Sequence, residues 1–171
     1  MRRQYLVLLV LAVSVVGVQG QEHDEALTTA EGVVAELYDL VTFEAGTSPD
    51  WNRARSLFLP EAVVVLRTSR EGTTQFTVEG WVEDFENFIA SQNVVERGFD
   101  ESIVSTHPWV FKDVAHILVL YAAGFPDDER RQYGIDSFQL VKRDGRWWIA
   151  GILNEIPDRD NPIPEVLRPE G

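Results

Sequence analysis

The chain has 171 residues, 44% of them hydrophobic, no cysteine and a formal net charge of −13. That length and apolar share suit one domain with its own core and are short for two. The acidity argues against a phosphate backbone or an anionic membrane as partner, and without cysteine neither a disulfide nor a cysteine-linked lipid is available.

Residues 1–20 stand apart from the rest. Arg2 and Arg3 give a positive start, Tyr5 to Val18 form an apolar run, and Val18-Gln19-Gly20 places small or modest residues before Gln21. This is the build of a cleavable secretory signal. A membrane anchor is the competing reading, but a run of about fourteen residues falls short of the roughly twenty that span a bilayer. The mature chain is therefore expected to be secreted or periplasmic, with no membrane contact after cleavage. Losing Arg2 and Arg3 leaves it at −15, a charge that suits solubility.

Residues 21–27 read as a solvated leader, and the domain as residues 28–156. Thr28 with Glu31 three residues on forms a capping box. Leu27, Ala30, Val34, Leu37 and Val41 then recur in steps of three and four, which predicts a helix with one apolar face, ended by Gly46. Ser48-Pro49 predicts the start of a second helix, buried through Trp51, Ala54, Leu57 and Phe58 and stopped at Pro60. Ala62 to Leu66 is a short β-branched run and reads as a buried strand. Glu71-Gly72 turns the chain into a short strand through Gln75 and Phe76. Thr77 caps a third helix with an apolar side of Trp81, Phe85, Phe88 and Ile89, while Glu79, Glu83 and Glu86 form its solvated side.

From Val94 onward the pattern reads as strand, over about 95–110 and about 114–125, with a tight link at Lys112-Asp113. A loop at Pro126-Asp127-Asp128-Glu129 precedes a strand over about 132–143. Asp144-Gly145 suits a two-residue hairpin turn, since both positions tolerate positive φ, and the last strand runs from Arg146 to Asn154. Residues 157–171 hold Pro157, Pro162, Pro164 and Pro169 and read as an extended or disordered tail. Helices first and a meander last predict an α+β fold, a curved antiparallel sheet with three helices from the N-terminal half over its concave face. Such a sheet twists and curls, and its hollow side encloses a pocket.

Several stretches resemble the nuclear-transport-factor-2-like superfamily, which includes ketosteroid isomerase and scytalone dehydratase. They are Asp50-Trp51-Asn52-Arg53-Ala54-Arg55-Ser56-Leu57-Phe58 with Pro60-Glu61-Ala62, then Phe111-Lys112-Asp113-Val114-Ala115. The strongest is Tyr133-Gly134-Ile135-Asp136-Ser137-Phe138-Gln139-Leu140, closed by Asp144-Gly145-Arg146-Trp147-Trp148-Ile149. The resemblance implies a cone-shaped domain with a pocket between sheet and first helices, and a homodimer through the outer sheet face. It also implies an isomerase pattern that is half present. The general-base position is Leu66, which has no proton to move. The oxyanion-hole acid matches Asp136 of Ile135-Asp136, and the helix tyrosine falls at Tyr38 or Asp39.

Asp136 is the candidate catalytic residue. A carboxyl facing an apolar hollow has its pKa raised and can donate a proton near neutral pH; pairing with Arg130 or Arg131 is the structural alternative. Period-two geometry puts Phe138 and Leu140 on its face, and the hairpin, with the register that the resemblance implies, puts Trp148, Ala150, Ile152 and Asn154 beside them. The expected pocket is thus Tyr38, Leu66, His107, Asp136, Phe138, Trp148, Ile152 and Asn154. His107 is a base at its mouth or a plain strand histidine. Asp127, Asp128 and Glu129 lack calcium-loop spacing, and His107 and His116 lack a third ligand, so neither metal nor cofactor is expected. The reading is an exported domain that binds a small, largely apolar molecule or a partner without catalysis. One alternative is an isomerase, dehydratase or hydrolase using Asp136 as general acid with Tyr38 or His107; the other is a structural dimerisation module.

Overall fold

The computed structural model describes residues 25–69 and 71–169, so the signal-peptide reading of residues 1–20 lies outside the described residues. Helix α1 (Ala30–Val41) starts one residue later than its predicted cap. Thr29, extended at φ −120°, accepts the Gly32 N–H at 3.0 Å. Thr28 belongs instead to a preceding turn, where its hydroxyl donates to the Glu25 carbonyl. Helix α2 (Trp51–Arg55) likewise begins past Ser48-Pro49, because the Asp50 carboxylate takes the Arg53 N–H at 2.9 Å. Strand β1 (Phe58–Arg67) carries Pro60 in an irregular stretch where its ladder shifts register, so the proline costs no sheet hydrogen bond. Strand β2 (Thr73–Thr77) leads into α3 (Val78–Ser91), with Thr77 as its N-cap.

The region after Ser91 departs from expectation. Residues 94–97, read as strand, form a short helix α4 (Val94–Arg97). Asn93 at φ 53° and Gly98 at φ 75° bracket it with left-handed backbone, and this sharp double bend lets Val94 turn fully inward. Strands β3 (Asp100–Phe111), β4 (Val114–Gly124), β5 (Gln132–Arg143) and β6 (Arg146–Glu155) follow as the predicted meander. Asp144 and Gly145, at φ 52° and 82°, make the tight β5–β6 turn.

The sheet order is β2-β1-β6-β5-β4-β3, curled but unclosed. It is not antiparallel throughout: β1 and β6 run parallel. The cause is topological. The chain crosses from β2 over α3 and α4 to the far edge at β3, and three hairpins bring β6 back beside β1 in the same direction. Helices α1 and α3 cover one face. Val33, Val34 and Leu37 of α1 and Val82 of α3 bury against Ile117, Phe138 and Ile149 of the sheet. A second, aromatic cluster of Phe43, Phe85, Phe88 and Phe99 closes one end around Ile89 and Val94.

The proline-rich tail packs back on the sheet. A 3₁₀ turn (Glu165–Leu167) follows Pro164, and Leu167 is fully buried, its carbonyl taking a hydrogen bond from Ser105 Oγ on β3. Leu120, opposite Ser105 on the face away from the helices, is buried under this cover. The tail can do this because one apolar side chain in a chain stiffened by prolines loses little entropy on docking.

Candidate functional site

The apolar stripe of α1 places Tyr38 over the hollow of the sheet, its ring 6.1 Å from that of Tyr121 and 6.2 Å from that of Phe138. Beneath it lie Asp136 on β5 and Asn154 on β6, which are direct cross-strand partners. Tyr38 Oη donates to Asp136 Oδ2 at 2.6 Å, and Asn154 Nδ2 donates to Oδ1 at 2.8 Å and to Tyr121 Oη at 3.0 Å. The Asn154 amide is oriented by backbone: its Oδ1 faces the Arg67 N–H at 3.4 Å, which turns both amide hydrogens toward the cavity floor.

Tyr121 reaches this position because its cross-strand partner is Gly134. A Cβ at Gly134 would stand 2.1 Å from Tyr121 Oη and 2.2 Å from its Cζ, so the ring occupies the space a side chain would need.

Above this floor is a cavity of about 250 Å³. Leu66, Phe138 and Ile152 line it together with Trp81 and Phe85 of α3. One further carboxyl lines it, that of Glu101 on β3. Its strand is pinned to the end of α1, since Thr42 Oγ1 donates to the Glu101 carbonyl and accepts its N–H, both at 3.0 Å. Among the described residues the Glu101 carboxyl has no hydrogen-bond or ion-pair partner. The residue is half-buried, and it lies on the cavity lining.

Burial dominates the electrostatics. It raises the Asp136 pKa to about 6, against the hydrogen bonds from Tyr38 and Asn154 that favour the carboxylate. It raises Glu101 further, to about 8, helped by the negative charges of Asp136 and Asp100. Burial, then Asp136, pushes both tyrosine hydroxyls well above their ordinary value, so both stay neutral. Of the two carboxyls Glu101 is thus the one that holds its proton more tightly and Asp136 the one that ionises more readily. Asp136 accepts at both oxygens and pairs with neither Arg130 nor Arg131, which bind Asp128 and Asp100.

Two expected pocket residues lie elsewhere, for one reason. A bulge at Val104 shifts the β3–β4 register, so Glu101 and Ile103 face the cavity while His107, opposite Leu118, is exposed on the other side. A second bulge at Ala150 shifts β5–β6, which turns Trp147 and Ile149 inward and Trp148 outward. Trp148 lies under the Arg146 guanidinium at 3.8 Å. Tyr38, Leu66, Asp136, Phe138, Ile152 and Asn154 do share the cavity.

Sequence reasoning missed Glu101 and Tyr121. The signal for Tyr121 was Gly134, a glycine inside a strand, which marks something resting on the backbone. Glu101 shares the period-two parity of His107, so the alternation that points His107 inward points at Glu101 as well.

No protein-family model matches the sequence, and no curated protein does. Solved structures do match. A protein of unknown function from Pseudomonas putida, described as NTF2-like, superposes with a TM-score of 0.60 at 12% identity, covering 88% of this chain and 97% of that one. A Nostoc punctiforme protein of unknown function with a cystatin-like fold gives 0.57 at 14%, covering 89% and 100%. A protein from Novosphingobium aromaticivorans provisionally named a scytalone dehydratase gives 0.57 at 16%, covering 82% and 92%. The chain has the nuclear-transport-factor-2-like, cystatin-like α+β fold.

Proposed function

We propose that this domain binds a small, largely apolar molecule whose polar head sits on the floor formed by Asp136, Asn154, Tyr38, Tyr121 and Glu101. One observation carries this reading. An open cavity with aromatic and aliphatic walls holds a carboxyl, Glu101, that no protein group satisfies. Glu101 is partly exposed and its carboxyl opens to the cavity, so a ligand seated there supplies the partner that the protein does not. The test is to screen the purified protein against small apolar molecules by native mass spectrometry, beside Leu66→Trp, which fills the cavity. Binding lost in Leu66→Trp supports the reading; equal binding by both proteins refutes it.

An enzyme is the second reading, and Glu101 is what favours it. The absence of a base at Leu66 argued against catalysis, but a carboxyl from β3 faces the same cavity. Glu101 protonated and Asp136 ionised form an acid and a base with separated proton affinities, the arrangement that isomerases and dehydratases need. Turnover abolished by Glu101→Gln would select this reading over simple binding.

Export and self-association complete the proposal. The charged start and apolar run of residues 1–20 support secretion to the periplasm or exterior. Trp109 and Phe111, exposed at 59% and 58% on the sheet face away from the helices, support a homodimer through that face. Sedimentation of wild type beside Trp109→Glu tests it, a dimer turned monomer being the expected result.

A further inference from the structure

The head group of the ligand can be narrowed by charge, given the reading that this cavity binds a small molecule. Two acidic side chains line it, Asp136 and Glu101. The cation that lines it is Arg67, and that guanidinium is partly exposed at the rim and committed to Glu155 through Nε at 2.7 Å and through Nη2. Five rings make up much of the wall, those of Tyr38, Trp81, Phe85, Tyr121 and Phe138.

Each candidate head group can be set against this arrangement. An anion would meet Asp136 with no free cation lining the cavity among the described residues. A neutral hydroxyl or carbonyl satisfies one contact but brings no charge to offset the Asp136 carboxylate. A protonated amine answers both needs. Asp136 has about four lone-pair positions, of which Tyr38 and Asn154 take two, so oxygen sites remain for ammonium hydrogens. Glu101, once ionised, gives a second acceptor, and the ring faces attract a cation by their quadrupoles.

We infer that this cavity takes a small primary or secondary amine in its ammonium form, on an apolar or aromatic frame, with Glu101 and Asp136 as its carboxylate partners. Binding at neutral pH displaces the Glu101 proton to solvent, because the ammonium charge stabilises the carboxylate. The charged or titratable groups that face Glu101 are Asp136 on β5, Tyr38 on α1, Tyr121 on β4 and Asp100 beside it on β3; α3 contributes only the uncharged Trp81 and Phe85.

Calorimetry on the purified protein tests this with matched probes: 2-phenylethylamine, 2-phenylethanol and phenylacetate, with butylamine, butanol and butyrate as a smaller set. The amines are expected to bind at least tenfold more tightly than the alcohols, and the carboxylates more weakly still. In two buffers of different ionisation heat at pH 7, amine binding releases close to one proton. Glu101→Gln is expected to lose about tenfold for the amines while keeping the alcohols, and its unchanged or raised melting temperature shows that it folds. Alcohols binding as tightly as amines, both lost in Leu66→Trp, would overturn the amine inference and leave the cavity reading intact. No binding in either series, or binding indifferent to Leu66→Trp, would overturn both.

Discussion

The ring of Tyr121 lies flat on Gly134, filling the space that any larger residue at 134 would require. A hydroxyl at the cavity floor therefore depends on a missing side chain one strand away. Gly134→Ala is expected to push the ring off its seat, break the Asn154–Tyr121 hydrogen bond, and cost roughly 1–3 kcal/mol as an overpacked core does. Urea denaturation measures the loss.

Tyr38 donates to Asp136 from the opposite side, and this bond holds the Asp136 pKa below where burial alone would put it. Tyr38→Phe removes the donor and keeps the ring. The Asp136 carboxyl is then expected to titrate above about 6, read by NMR of the labelled carboxyl carbon.

Stability should fall as pH rises through neutrality. Asp136 and Glu101 hold their protons more tightly folded than unfolded, their values rising from 3.8 to about 6 and from 4.5 to about 8. The stability they lend is full below the unfolded values and is lost as pH climbs through the folded ones. Exposed carboxylates such as Asp127 and Asp158, whose values are lowered, act in the opposite sense in more acidic solution. Urea midpoints at pH 5, 6.5 and 8 should therefore decline, and Glu101→Gln should flatten the drop between 6.5 and 8.

Leu167 anchors the tail from a fully buried seat beside β3 and β4. Leu167→Ala is expected to cost about 2 kcal/mol, the low end for a buried leucine, since the tail can detach without unfolding the sheet. Limited proteolysis should then cut between residues 157 and 167 faster than in wild type.

These expectations show which physics a sequence carries openly. Helix faces and turns were legible because they rest on local rules: Thr77 as a cap, the Asp144-Gly145 turn, the α1 stripe that delivers Tyr38. The turn alone pairs Asp136 with Leu153, and it is the bulge at Ala150 that brings Asn154 opposite it. What stayed hidden was set by single-residue bulges. An extra residue at Val104 reverses the alternation beyond it, so His107 leaves the face on which Glu101 stays, and one at Ala150 puts Trp147 and Ile149 on the face that Ile152 and Asn154 share. The first has no glycine or proline beside it, while Gly151 directly follows the second. The docking of the extended Pro-rich tail stayed hidden for a different reason: composition weighs the average residue, whereas one leucine, Leu167, decides where the tail lies.

The central claim is that Asp136 and Glu101 share one cavity with largely apolar walls. Carboxyl-carbon NMR titration of the unliganded protein tests it most directly. Two carboxyl resonances with apparent midpoints near 6 and 8, each assigned by loss in Asp136→Asn and Glu101→Gln, are the predicted result. Both carboxyls titrating near 4, as they would in open water, would contradict it.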